Sequence, residues 1–141
     1  MVPAAQDHSL FGWLQTLYPI WLNLQPEDFY VAAATGLAEL VLSGCTTSSD
    51  HQYLFPNGSR LEDSIEAAAD VGIRFTATRG SMSIGESKGG LPPDQLCEVE
   101  DSILKDCLRV IDAHHDASDH AMIQIALAPC SPFSVSTGLM A

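Results

Sequence analysis

Apolar positions along this chain recur at two spacings, and their alternation predicts helices separated by short strands. Between Pro26 and Ser43 the residues Phe29, Ala33, Ala34, Leu37, Leu40 and Val41 fall on one face at helical spacing. Pro26 suits the first helical position, Glu27 and Asp28 suit the positive end, and Gly44 suits the stop. "CTTSSD" then predicts a short buried strand ending at Asp50 and His51, followed by the loop "QYLFPNG". Ser59 and Glu62 have capping-box spacing, which predicts a helix over residues 60–71 with Leu61, Ile65 and Ala68 or Ala69 inward and Gly72 closing it. "IRFTATR" predicts a second strand that breaks at Gly80, and the pattern then repeats. The loop "GSMSIGESKGGLPP" leads to a helix over residues 94–113, and "AMIQIALAP" predicts a third strand broken by Pro129. Acidic residues early in that helix and Lys105 and Arg109 late in it agree with its dipole.

Three strands alternating with helices, the last nearly apolar throughout, predict an α/β unit with parallel strands buried on both faces by right-handed crossovers. Such a unit cannot close a barrel and makes an open sheet with two unpaired edges. The chain stops within "SPFSVSTGLMA", where Ser134 or Ser136 suits the cap of a further helix.

Composition narrows the function more than the fold. With 141 residues, 46% of them hydrophobic, the chain is expected to form one globular unit with a core. Eighteen acidic residues against six basic ones, a net charge of −12, argue against nucleic-acid binding, which needs clustered Lys and Arg. Cys45, Cys97, Cys107 and Cys130 are scattered without a CxxC pair, and the chain contains no long apolar span. A cytoplasmic protein with reduced thiols, not associated with a membrane, is expected. The opening "MVPAAQDHSLFGW" has no charged or apolar leader region and reads as the middle of a fold.

The histidine-rich "HHDASDH" invites a metal reading, but His114 and His115 are adjacent, so they diverge on either a helix or a strand. His114, His115 and His120 also fall between a helix and a strand, where a solvated connection belongs, and no metal site is expected there. In barrel-like α/β units chemistry sits beyond the carboxyl ends of the strands, which directs attention to His51, Arg79 and Cys130. His51 suits either a loop histidine bonded to the backbone or a pocket residue. Arg79 suits either an ion pair with a carboxylate or a donor facing the pocket mouth. Cys130 lies in "APCSPFS", where two prolines extend the chain, and suits a pocket lining better than a nucleophile. Trp13 and Tyr18 suit core packing or stacking on a planar ligand. "GESKGG" lacks the arrangement of a phosphate loop.

Four segments in order, "FGWLQTLYPIW", "LSGCTTSSDHQYLFPNG", "RFTATRGSMSIGESKGGLPP" and "IALAPCSPFSVS", resemble the 8-oxoguanine deaminase branch of the amidohydrolase superfamily, close to hydroxyatrazine-type aminohydrolases. The resemblance implies a partial (β/α)8 TIM barrel, with residues 1–141 covering the segment after barrel strand one through barrel strand four. It also implies one zinc or iron in the full-length enzyme, held by an HxH pair at strand one, histidines at strands five and six and an aspartate at strand eight. An HxxE glutamate would shuttle protons while metal-bound hydroxide attacks the ring carbon bearing the amine. None of these residues falls within this chain, so the resemblance implies no catalytic and no metal residues here.

What it does imply is a pocket wall: Trp13 in the segment roofing the pocket, His51 after barrel strand two, Arg79 at the end of strand three as a donor to an exocyclic oxygen, and Cys130 after strand four. The expected function is part of a hydrolytic deaminase, acting on the C–N bond of a cyclic amidine in an oxidised purine such as 8-oxoguanine. The alternatives are a triazine aminohydrolase or chlorohydrolase fragment and a non-catalytic acidic module. The fragment alone is expected to be inactive, and the full-length enzyme to be a homo-oligomer whose partner is a small purine-like or triazine substrate.

Overall fold

The computed structural model describes residues 5–141, and the first four residues of "MVPAAQDHSLFGW" lie outside the described residues. Five helices and three strands are defined: α1 (Leu10–Trp21), α2 (Pro26–Leu42), β1 (Thr47–Ser49), α3 (Leu61–Val71), β2 (Arg74–Ser81), α4 (Glu100–His114), β3 (Ile123–Pro129) and α5 (Thr137–Met140). The strands form one parallel sheet in the order β1-β2-β3. The alternation of strand and helix read from the apolar spacing is therefore present. No helix of the described residues is long and apolar enough to cross a membrane.

Several boundaries differ from expectation for physical reasons. α1, for which the apolar spacing set no boundaries, is capped by Ser9, whose hydroxyl accepts from Gly12 N, and it continues through Pro19, a residue type that ordinarily stops a helix. α3 is capped one residue later than the Ser59–Glu62 pair suggests: the Asp63 carboxylate accepts from Arg60 N at 2.8 Å, while Glu62 is left to pair elsewhere. β2 does not break at Gly80 but runs to Ser81. Residues 94–96 form a separate 3-10 turn, because Cys97 is extended (φ −94°, ψ 143°) before α4 starts at Glu100. Of the apolar face expected on α2, Leu37 is buried whereas Leu40 and Val41 are exposed.

Period-two alternation and the pairing register give the sheet two unlike faces. Phe75 and Ala77 of β2 and Ile125 of β3 face the helices, packing with Leu37 of α2, Leu61, Ile65 and Ala68 of α3, and Val110 of α4. The opposite face carries Thr47 and Ser49 of β1, Arg74, Thr76, Thr78 and Gly80 of β2, and Gln124, Ala126 and Ala128 of β3. Apart from the buried Gly80, these residues are exposed or half-buried. A second core caps the carboxyl ends of the strands, where Leu17, Tyr18 and Trp21 of α1 meet Leu54, Met82 and Leu96.

The outer edge of β3 is partly occupied. Ladder bonds from Phe75 N to Met122 O and from Cys130 N to Ser81 O direct the even-numbered groups of β3 toward β2, so its odd-numbered groups point away. On that side Ile123 O accepts from Asp116 N at 3.3 Å, and Ile125 N donates to His115 Nδ1 at 3.0 Å.

Candidate functional site

The carboxyl ends of the strands converge on Gly80. Gln52 pairs with Arg79 in the register already set by Thr47 and Arg74, which continues the alternation and puts His51 on the open face of the sheet. There the His51 imidazole reaches across β2, and Nε2 lies 3.0 Å from Ala128 O on β3. A carbonyl oxygen only accepts, so Nε2 carries the proton, and in the neutral ring Nδ1 is an acceptor. The ring packs edge-on against Tyr53, with centroids 5.2 Å apart. This crossing requires a glycine beneath it. A Cβ at Gly80 would lie 2.6 Å from Tyr53 Cβ and 2.7 Å from His51 Nε2, closer than packed atoms approach.

Cys130 continues β3 on the same side, its N–H donating to Ser81 O at 2.9 Å, and its half-buried thiol packs against the aromatic core. Burial pushes that thiol upward, outweighing the Ser134 hydroxyl that lowers it, so it is not an activated nucleophile. Cys97, on the rim of the same core, is pushed up to about 11 by burial and the nearby Asp94. Burial likewise raises Tyr18, reinforced by Tyr53, and its hydroxyl points at Met82 Sδ at 4.0 Å. Trp13 is half-buried on α1 and meets Trp21 edge-to-face at 5.5 Å. The described chain thus gathers His51, Cys130 and Trp13 around one end of the sheet.

Arg79 is the exception. The expectation that it faces the pocket mouth as a donor to ligand is corrected by the alternation: it shares the helix-facing side with Phe75 and Ala77 and is only 2% exposed. Its Nη1 and Nη2 donate to the two Glu98 carboxylate oxygens at 2.9 and 2.7 Å, Nε donates to Asp106 at 2.8 Å, and Nη1 also donates to Gly80 O. Its guanidinium carbon stands 3.9 Å above the Phe55 ring. Four of its five N–H groups are engaged within the chain, and the ion-pair alternative describes its geometry. The network continues through Asp106 to Arg109 and from Arg109 to Glu62, which also meets Arg60 and His114.

Sequence reasoning missed Gly80, reading it as a strand break, and missed Asp50. Asp50 faces the helix side, and it lines a cavity of about 270 Å³ whose wall also includes Trp21, Phe29, His51 and Tyr53. Burial raises its carboxyl, which accepts from Thr78 N at 3.4 Å. The parity of β2 was the available signal for both Arg79 and Gly80.

The three histidines of "HHDASDH" go separate ways. His114 Nε2 lies 3.4 Å from Glu62, His115 Nδ1 accepts a strand N–H, and His120 adopts a left-handed φ of 63°. Among the described residues no three His, Cys, Asp or Glu side chains converge as a metal would require. The donor set of these residues does not by itself fit a zinc or iron centre.

The carboxyl ends of parallel strands, where these polar groups gather, are where α/β enzymes place their chemistry. The chain belongs to the amidohydrolase family, whose model matches residues 5–141. It is 53% identical over 138 residues to 8-oxoguanine deaminase of Pseudomonas aeruginosa, covering 95% of this chain and 30% of that protein. It is 35% identical over 127 residues to hydroxydechloroatrazine ethylaminohydrolase of a Pseudomonas species, covering 88% of this chain and 26% of the relative. Among solved structures, a variant of atrazine chlorohydrolase TrzN from Arthrobacter aurescens, complexed with zinc and atraton, superposes with a TM-score of 0.88 at 32% identity, covering 98% of this chain and 33% of that one. Guanine deaminase from C. acetobutylicum, at 21% identity and a TM-score of 0.72, shares the fold. The chain therefore spans less than a third of the length of these two curated relatives.

Proposed function

We propose that residues 1–141 are part of a (β/α)8 barrel domain, running from after barrel strand one through barrel strand four, in a cytoplasmic, metal-dependent hydrolytic deaminase. Its substrate is an oxidised purine such as 8-oxoguanine. The observation that carries this reading is the 53% identity to an 8-oxoguanine deaminase across 95% of the chain. In this reading the sheet face bearing Thr76, Thr78 and Gly80 turns into the barrel. The zinc or iron, its ligands and the proton-shuttling group belong to segments outside this chain, and the whole protein is a homo-oligomer.

His51, Cys130 and Trp13 then form part of the wall around a planar heterocycle. The His51 ring, with its proton on Nε2, offers Nδ1 to a ring N–H, and Cys130 with its neutral thiol contributes a small, soft surface. Arg79 supports this wall from behind. The likeness to TrzN and to the hydroxydechloroatrazine enzyme favours a second reading, a triazine hydrolase, since pocket side chains rather than fold separate such activities.

Ammonia release by the full-length parent protein, with 8-oxoguanine and a hydroxylated triazine compared side by side, is the test. Turnover of 8-oxoguanine alone is expected, and turnover of the triazine alone would move the assignment to the second reading. The 141-residue chain by itself should release none. Chelator-sensitive release by that chain would overturn the claim that the catalytic groups lie outside it.

A further inference from the structure

We propose that Arg79 is a positioning residue that sets the orientation of His51 from the opposite face of the sheet, acting through the backbone of Gly80. The inference deepens the proposed pocket and rests on that reading for its effect on turnover, though not for its effect on His51 itself.

Three observations meet at Gly80. Its N–H donates to Gln52 O at 2.7 Å, tying β2 to the segment that carries His51 and Tyr53. Its carbonyl accepts from Arg79 Nη1, so the arginine supplies the bond at a point where β1 has already ended at Ser49. Its α-carbon, bare of a side chain, lies against His51 and Tyr53. The peptide planes flanking this α-carbon are therefore held by an arginine on one side of the sheet, and the imidazole leans on the same atoms from the other.

The arginine is itself held on several sides. A guanidinium held by both oxygens of Glu98, by Asp106 and by the Phe55 ring has no alternative rotamer that keeps these bonds. A change in this clamp lets the Gly80 carbonyl turn, and the support beneath His51 turns with it. The imidazole then loses its fixed approach to Ala128 O. Lysine cannot replace the clamp, because one ammonium cannot span two carboxylates and a carbonyl in the plane of a fork. The link from Arg109 to Glu62 belongs to the same ion network but lies on the far side of Asp106, joining α4 to α3 without touching Gly80. It is the natural control.

The readout is the pair of imidazole nitrogen resonances of His51 in the 15N-labelled chain, which report which nitrogen carries the proton. In the unaltered chain a single Nε2–H signature is expected. In Glu98→Gln and Arg79→Lys that signature should be lost to a mixture of tautomers, whereas Arg109→Met should keep it even though stability drops. Glu98 is 27% exposed and Gln is its isostere, so this variant keeps the test available if Arg79→Lys does not fold. A folded Glu98→Gln chain with an unchanged His51 signature, or an Arg109→Met chain that loses it equally, would overturn the proposal. In the full-length parent, Arg79→Lys should lower kcat/KM on the order of 10²-fold, as expected for a displaced positioning group. If the parent proves inactive on every purine and triazine tried, the functional reading fails while the resonance test still decides the role of Arg79.

Discussion

The two faces of the three-stranded sheet are built from the same residues of β2 in alternation, yet they have opposite characters. Toward the helices stand Phe75, Ala77 and the clamped Arg79, enclosed by side chains of α2, α3 and α4. On the other side stand Thr76, Thr78 and Gly80, small or polar. One face is specified by packing, where each methylene is felt. The other is specified by what it leaves out, because room near the strand ends is what a ligand needs. Stability and binding are thus separated by a single residue step along one strand, so neighbouring substitutions should have unlike consequences.

The largest contrast is expected between Phe75→Ala and Thr76→Ala. The first empties a buried site in the main core and should cost about 3–5 kcal/mol, while the second should stay within about 0.5 kcal/mol. Urea unfolding of the two variants measures the difference, and equal losses would erase the distinction between the faces. Gly80→Ala comes next. Its new Cβ would collide with Tyr53 and His51, so roughly 1–3 kcal/mol of overpacking cost is expected together with a displaced His51. A variant that keeps both its stability and the His51 resonances would show that the close approach is dispensable.

The smallest effect concerns acid. Burial alone would raise the Glu62 carboxyl, but hydrogen bonding from Arg109, with Arg60 nearby, holds it at about 2 against an ordinary 4.5. A carboxylate depressed in the folded state stabilises the fold above its unfolded pKa. That contribution is therefore full above about pH 4.5 and disappears as the pH falls toward 2. Arg109 is 43% exposed, so solvent screening limits the effect to the order of 1 kcal/mol. The acid limb of a stability–pH curve should flatten in this window for Glu62→Gln. An unchanged limb would assign the acid sensitivity to other carboxylates.

Much of this was legible in the chain. The three strands and the helices between them follow from apolar spacing, with Phe75, Ala77 and Ile125 on the packed face, but burial on both faces does not hold among the described residues, where the opposite face is exposed or half-buried apart from Gly80. α1 was harder, since Pro19 within it reads as a stop and its stability comes from tertiary packing of Tyr18 and Trp21. The cap of α3 slipped by one residue because Arg60–Asp63 and Ser59–Glu62 have equal spacing, and Glu62 has a stronger partner in Arg109. At the site, the strand-end location of His51 and Cys130 was readable, but their contacts were not: those depend on register between strands, which no local pattern carries. Arg79 was misassigned by treating a strand end as a point rather than as one of two sides.

The outer edge of β3 has a chemical polarity of its own. Ile125 N–H is already taken by His115, Ile123 O is taken by Asp116, and Pro129 has no N–H to offer. Among the described residues, what remains facing outward is the N–H of Ile123 and of Leu127, set beside the carbonyls of Ile125, Leu127 and Pro129. Past the Leu127 N–H, toward the carboxyl end of β3, such an edge offers carbonyls only. A neighbouring strand must bring donors to that end, so hydrogen-bond sense constrains what pairs there before any side chain is consulted.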